Sequence, residues 1–366
     1  MKKFALFLPQ FHEIPENNEW WGEGFTEWTN VKSAKPLYKG HIQPKHPLNG
    51  NYYNLLDKEV MKWQTELIDR YRIDGMIYYH YYFNGKLLLE KPAENLLKWR
   101  DIHQHFFFCW ANHSWMRSWE GKKDLLIEQT YGNVSDWEKH FQYLIPFFKD
   151  DRYEKKDNQP LFMVFQSSFD EKEAMFNYFN KRAIEEGFNG IYFVESYYGD
   201  IDIKIFEQNL ASATRLTFYR EPLFSKNLVL RKSWISYTLY RANRKLRHLG
   251  ILKKPLVLDG KRLMDVKQQN EPLGKNVANG LCFEWDNTPR HKYRGYVITP
   301  FEKSQFMHFM DIIKNQDYLF IDAWNEWCEG MVLEPTEEDG YKYLEWIKEW
   351  TDEQSIDSKN SKSSED

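Results

Sequence analysis

The chain has 366 residues, about two domains' worth of length and enough to bury a full core. Its 50 Lys+Arg stand against 54 Asp+Glu, and the net charge of -4 excludes the overall cationic field on which general nucleic-acid binding depends. A mean hydropathy of -0.74, with no apolar run near the roughly 18 residues of a membrane span, excludes a polytopic membrane protein.

In chain order, the apolar stretch from Phe4 to Leu8 is cut short by Pro9 and has no small-residue cleavage site, so no signal peptide and a cytoplasmic location are expected. Eight short apolar runs follow one another as candidate strands: Phe4–Phe11, Gly75–Tyr82, Phe106–Asn112, Leu161–Gln166, Ile191–Ser196, Ala211–Tyr219, Leu281–Asn287 and Tyr318–Trp327. They are continuously apolar rather than alternating, as parallel strands covered on both faces are. Amphipathic stretches lie between them at Asp57–Arg72, Ser135–Lys149, Glu171–Glu186, Phe301–Asn315 and Tyr341–Trp350. Eight strands alternating with helices predict an α/β fold, a single-domain (β/α)8 TIM barrel over about residues 1–350 with long βα loops. Residues 351–366 are Ser/Asp/Glu/Lys-rich without apolar periodicity and are expected to form a disordered tail.

One segment breaks the charge balance. From Pro222 to Leu258 there is no acidic residue, whereas Lys226, Arg231, Lys232, Arg241, Arg244, Lys245, Arg247, Lys253 and Lys254 are basic and interleave with Trp234, Ile235, Tyr237, Leu239 and Tyr240. This is expected to be a basic helical insertion after strand six. It suits peripheral contact with an anionic inner-membrane surface or a phosphate-bearing ligand, or else serves as a solvated helix with a positive face.

Aromatic residues make up 17% of the chain, and many sit among Asn, Glu, His and Gly rather than in apolar runs. Such rings suit a sugar, whose C–H faces stack on indole or phenol while its hydroxyls need carboxylates and amides. In a barrel the site forms at the C-terminal ends of the strands. The candidate sugar-binding residues there are His12, Trp28, His80, Tyr82, Trp110, Asn112, Trp115, Arg117, Glu195, Trp285, Asp286, Asn287, Trp324, Asn325 and Trp327. Glu326 and Glu329 lie three residues apart where strand eight turns into a loop, so a single turn lets both face one cavity. Two carboxylates in an aromatic cleft are what glycosidic chemistry requires: one protonates the leaving oxygen, the other acts as base or nucleophile. The competing reading is that Glu329 only pairs with Arg117 or Arg290. The histidines, including His41, His46, His103, His105 and His113, are scattered, so no metal is expected; no cofactor is expected either. Cys109, Cys282 and Cys328 are expected to be packed free thiols.

The run Trp324-Asn-Glu-Trp-Cys-Glu-Gly330 with Leu333-Glu-Pro335, together with Trp110-Ala-Asn112, Trp115, Arg117, Trp119, Gly121, Trp285-Asp-Asn-Thr288 and Leu8-Pro-Gln-Phe-His12, resembles the WbsX-type glycosyltransferase family of O-antigen and capsule biosynthesis. That family is in turn similar to family 99 glycoside hydrolases of the endo-α-mannosidase type, which are (β/α)8 barrels. The resemblance implies that Glu326 is the base assisting a substrate 2-hydroxyl and that Glu329 is the acid/base at the leaving group. Configuration would then be retained through an epoxide-like sugar intermediate. Cys328 departs from the hydrolase pattern, where His is usual.

The expected function is a carbohydrate-active enzyme of surface-polysaccharide biosynthesis acting by retaining glycosyl transfer. Its partner is a glycan, nucleotide-sugar or lipid-linked sugar substrate, and no nucleic acid. The alternatives are an endo-acting α-glycoside hydrolase or transglycosidase, and a catalytically silent glycan-binding barrel.

Overall fold

The computed structural model describes residues 1–117, 124–197, 215–219, 230, 233–271, 274 and 276–363. Eight parallel strands close into a barrel: β1 (Lys2–Phe7), β2 (Gly75–Phe83), β3 (Phe106–Trp110), β4 (Gln159–Val164), β5 (Tyr192–Tyr197), β6 (Leu216–Tyr219), β7 (Val277–Leu281) and β8 (Tyr318–Ile321). Each pairs with the next, and β1 closes the ring by pairing with both β2 and β8. Helices α1 (Glu27–Ser33), α2 (Lys58–Arg70), α3 (Lys91–Lys98), α4 (Val134–Phe148), α5 (Lys172–Glu185), α6 (Trp234–His248), α7 (Gly260–Asn270), α8 (Lys303–Ile313) and α9 (Lys342–Ser363) connect or follow them. Their starts are written into the sequence. Asp57, Asn133, Ser233 and Asp259 each accept a hydrogen bond from a first-turn amide, satisfying a donor that the helix itself leaves open.

The barrel interior is packed with rings. Phe107 contacts Phe4 at 5.2 Å and Phe320 at 5.6 Å, and Phe320 contacts Phe218 at 5.2 Å. Each buried phenyl contributes about 2 kcal/mol of transfer free energy. Small residues on neighbouring strands make the room. Gly75 pairs with Phe4, and a Cβ there would collide with the Phe4 ring and the His105 carbonyl; Gly280 pairs with Phe320. Strands one and eight end earlier than expected, at Phe7 and Ile321, residues 211–214 of the expected strand six lie outside the described residues, and strand seven is displaced along the chain. Strand seven is Val277–Leu281, with Gly280 in register with Phe320, whereas the run 282–287 lies beyond it. Within that run, Trp285–Asp286 forms a short antiparallel ladder with Tyr296–Ile298.

The basic insertion contains α6, with Trp234, Ile235, Leu239 and Leu249 exposed, Trp234 at 80%. Residues 222–229 and 231–232 of that insertion lie outside the described residues, as do Trp119 and Gly121. Helix α9 continues to Ser363, through most of the stretch expected to be a disordered tail. Among the described residues no helix is long and apolar enough to cross a membrane.

Candidate active site

The segment after β8 folds back on itself. Asn325–Glu326 pairs antiparallel with Met331–Val332, and Trp327–Glu329 forms a single 3-10 turn at the tip. The turn ends on Gly330 at φ +65°, where a Cβ would stand 2.9 Å from the Asp286 amide nitrogen. Glycine meets both demands, left-handed backbone and close approach to the β7 loop. The turn brings Glu326 and Glu329 to one end of the barrel, above β8.

The hairpin is anchored to the first strand. The Leu8 amide donates to Asn325 Oδ1 at 2.7 Å, and Asn325 Nδ2 donates to the Leu8 carbonyl at 3.1 Å and to the Tyr53 hydroxyl at 3.2 Å. Trp324 and Trp327 are fully buried beneath the turn, and Trp327 packs on Trp28 at 5.4 Å. Trp28 is itself enclosed by Phe11, Tyr52 and Tyr53 and donates from Nε1 to the Tyr53 carbonyl. These three indoles therefore support the hairpin from below. Glu334 is the buried hub of the same layer, accepting from Gln64 Nε2 at 2.7 Å, Tyr53 OH at 2.8 Å and Trp327 Nε1 at 2.9 Å. Burial pushes its carboxyl up to about 7, against the pull of those three donors and of Trp324.

Arg290 organises the charge. Nη1 donates to Glu329 Oε1 and Nη2 to Glu27 Oε1, each at 2.7 Å. Glu27, at the start of α1, is 0% exposed. Burial disfavours the guanidinium ion, but Glu27 and Glu329, with Cys328 and Glu326 beyond them, hold it well above its ordinary pKa. Of the two arginines considered from sequence as partners for Glu329, Arg290 is the one that pairs with it; the Arg117 guanidinium lies over Trp21. Cys328 is buried, its thiol directed at the Glu27 carbonyl, and burial pushes that thiol up, away from nucleophilic character.

On β2 the alternation of side chains separates two roles. Tyr79 and Tyr81 lie on the inward side of the barrel, whereas His80 and Tyr82 turn outward beneath α4, against His140. His80 Nε2 lies 2.9 Å from His140 Nε2, and burial lowers its pKa to about 3. Trp110 is on the same outer side, against His140 and Tyr131, and donates to the Tyr82 carbonyl. Glu195 is likewise outward, accepting from Lys172, Tyr197 and Arg215. His80, Tyr82, Trp110 and Glu195 are thus not brought together with the carboxylate hairpin. Tyr81, which was not singled out from sequence, is. Burial raises its phenol pKa, with the Glu326 charge adding to the effect, and its oxygen accepts from Gln10 Nε2. Trp115 packs edge-on against Tyr81 at 4.9 Å and against Trp20 at 5.8 Å, extending that wall.

The remaining expected residues tie loops together. Asn112 exchanges hydrogen bonds with the backbone of Gln166. Asp286 accepts from His41 Nε2 at 2.7 Å, Gln43 Nε2 at 2.6 Å and the Thr288 amide at 2.9 Å. Burial works against its ionisation, yet these donors hold its pKa below the usual value. Asn287 accepts from the Tyr296 amide, and Trp285 packs on Tyr296. His12 is buried after β1, and burial lowers it to about 4, so its imidazole is neutral near pH 7. Cys109, Cys282 and Cys328 are all buried.

Over residues 3–347 the sequence matches the family described as Glycosyltransferase WbsX. It is 29% identical over 351 residues to the uncharacterized protein WxcX of Xanthomonas campestris pv. campestris, covering 93% of this chain and 48% of that protein, and 28% identical to WxcX of strain B100 with the same coverage. The chain thus spans about half the length of the curated relatives it matches. Among solved structures, the GH99 endo-alpha-mannosidase from Bacteroides thetaiotaomicron aligns with a TM-score of 0.53 at 12% identity over 96% of each chain. A glycoside hydrolase-like protein aligns with a TM-score of 0.55 at 9% identity over 95% of this chain and 93% of that one. At such identities the likeness is one of fold, and the fold is the (β/α)8 barrel. With the family match running from the first barrel strand into the last helix, this chain belongs to the WbsX glycosyltransferase family.

Proposed function

We propose that the chain is a carbohydrate-active enzyme of surface-polysaccharide synthesis, of the O-antigen or capsule kind, and that it transfers a glycosyl group with retention using Glu326 and Glu329. The observation that carries this reading is the tight hairpin that sets both carboxylates on one turn above β8, with Arg290 and Tyr81 as charged and polar neighbours.

In the first step Glu326 takes the proton of the donor sugar's 2-hydroxyl as that oxygen attacks C1. The bond from C1 to the leaving oxygen breaks, and the leaving oxygen takes a proton from Glu329. In the second step an acceptor hydroxyl gives its proton to Glu329 and attacks C1, the C1–O2 bond breaks, and the released 2-oxygen recovers its proton from Glu326. Two inversions at C1 give net retention. Glu329 must exchange its contact with Arg290 for the leaving oxygen, and Glu27 keeps the guanidinium in place while it does so. Asn325, Trp324, Trp327 and Trp28 position the hairpin, whereas Trp115 and Tyr81 offer the ring faces for sugar contact. Where water is the acceptor, the same steps describe a hydrolase.

The exposed apolar residues of α6 within an acid-free basic segment suit peripheral contact with an anionic membrane on the cytoplasmic side, where lipid-linked acceptors would be presented. The test is a panel of nucleotide sugars and lipid-linked oligosaccharides followed by mass spectrometry. Glu326→Gln and Glu329→Gln are expected to fold and bind sugar yet lose turnover by about a hundredfold or more. Turnover in both variants would refute the assignment, and reducing-end release without a donor would identify a hydrolase.

A further inference from the structure

Beside the carboxylate hairpin lies a cavity of about 330 Å³ between α6 and the loop that follows β7. That volume falls within the range of small-molecule sites. Its lining is strongly cationic: Arg244, Arg247 and His248 come from α6, and His291 and Arg294 from the β7 loop, with Tyr240 between them. None of the lining residues is acidic, and the segment that supplies α6 contains no Asp or Glu from 222 to 258.

Arg247 is the informative member. It is 6% exposed, its Nε is buried without a hydrogen-bond partner, and among the described residues no carboxylate pairs with it, with Arg244 or with Arg294. A buried guanidinium without an acid is costly in isolation, and the chain places two more arginines beside it rather than a counter-ion. The arrangement fits an anion that arrives from outside and that guanidinium forks recognise, of which phosphate is the leading chemistry. The cavity also connects directly to the chemistry. Arg290 and His291 are consecutive on the short helix Thr288–His291; the first pairs with Glu329 and the second lines the cavity.

We infer that this cavity binds the diphosphate of a glycosyl diphosphate substrate, so that the group leaving C1 is held by Arg244, Arg247 and Arg294 on the Glu329 side of the hairpin. This rests on the glycosyl-transfer reading for its meaning, though not for its measurement.

The probe is inorganic pyrophosphate, titrated calorimetrically into the full chain at low ionic strength. Binding is expected, weakened roughly tenfold or more by Arg247→Gln and by the rim pair Arg244→Gln/Arg294→Gln, and kept by Lys245→Gln, whose side chain does not line the cavity. The rim pair guards against misfolding of the buried variant, with circular dichroism as the check. UDP and detergent-solubilised farnesyl diphosphate then compete for the probe. Displacement by either supports the inference and names the source of the diphosphate as nucleotide or lipid. No pyrophosphate binding, binding indifferent to all three arginines, or failure of both competitors would overturn it. So would loss of binding to phosphatidylcholine/phosphatidylglycerol vesicles in these variants with no pyrophosphate binding by the unaltered chain, which would make the arginines a membrane contact. Glu326→Gln should bind pyrophosphate normally. A chain that binds pyrophosphate in this way but transfers no sugar keeps the cavity and loses only the enzymatic reading.

Discussion

Arg290→Met tests whether the charge cluster under the carboxylate turn holds the site together. The guanidinium makes two hydrogen bonds of 2.7 Å, one to Glu329 and one to the fully buried Glu27. Methionine preserves much of the apolar stem but strands Glu27 in the interior. Removing one member of a buried pair costs about 3–5 kcal/mol, a large share of the roughly 5–15 kcal/mol by which a domain is stable. Most of that cost is the abandoned carboxylate rather than the lost contact. Glu27→Gln alone leaves Arg290 bonded to Glu329 and should cost about 1–2 kcal/mol. The double variant, with no buried charge to strand, should therefore recover about 2 kcal/mol relative to Arg290→Met. Urea unfolding followed by tryptophan fluorescence gives the three values, compared at a common m-value. If the double variant is destabilised by the sum of the two single changes, the residues are uncoupled and the account of Arg290 as organiser of the site fails.

Two further outcomes follow from the same layer. Glu334, raised to about 7 against an ordinary 4.5, keeps in the folded state a proton that the unfolded chain has already released. Its contribution to stability is complete below about pH 4.5 and is lost as pH rises through about 7, by up to about 3 kcal/mol. Glu334→Gln should flatten that slope, since Gln64 can turn its amide to meet the new donor, and an unchanged pH dependence of the urea midpoint would refute the assignment. Gly330→Ala places a methyl group in left-handed backbone against Asp286 and should cost about 2 kcal/mol. A change below about 0.5 kcal/mol would show that the β7 loop yields freely there.

The barrel and the carboxylate turn were legible because their signals are local. Continuous apolar runs mark strands covered on both faces, and a Glu-x-x-Glu spacing at a strand end reports directly on one turn of chain. Two kinds of information were not local. On β2, the choice between Tyr81 and its neighbours His80 and Tyr82 is a matter of one-residue phase, and an all-aromatic run carries no polarity contrast to set it. Strand seven was displaced because Val-Ala-Asn-Gly-Leu is a poor strand by propensity, and only the ring of Phe320 opposite Gly280 explains it. The partners of Arg290 and Asp286 lie more than 240 residues away in the case of Glu27, His41 and Gln43, beyond the reach of any motif. The indoles of Trp324 and Trp327 looked like sugar platforms, but an aromatic ring in a polar motif serves equally well as the floor on which that motif rests.

The Asn325 clamp on Leu8 joins positions 317 residues apart. During synthesis one edge of β1 can pair with β2 early, but the other stays unsatisfied until β8 and the hairpin behind it have been made. Neither carboxylate can take up its place before then. A circular permutant that makes residues 318–334 lead directly into residue 1 would shorten that wait, and its refolding rate would measure how much the long return slows assembly.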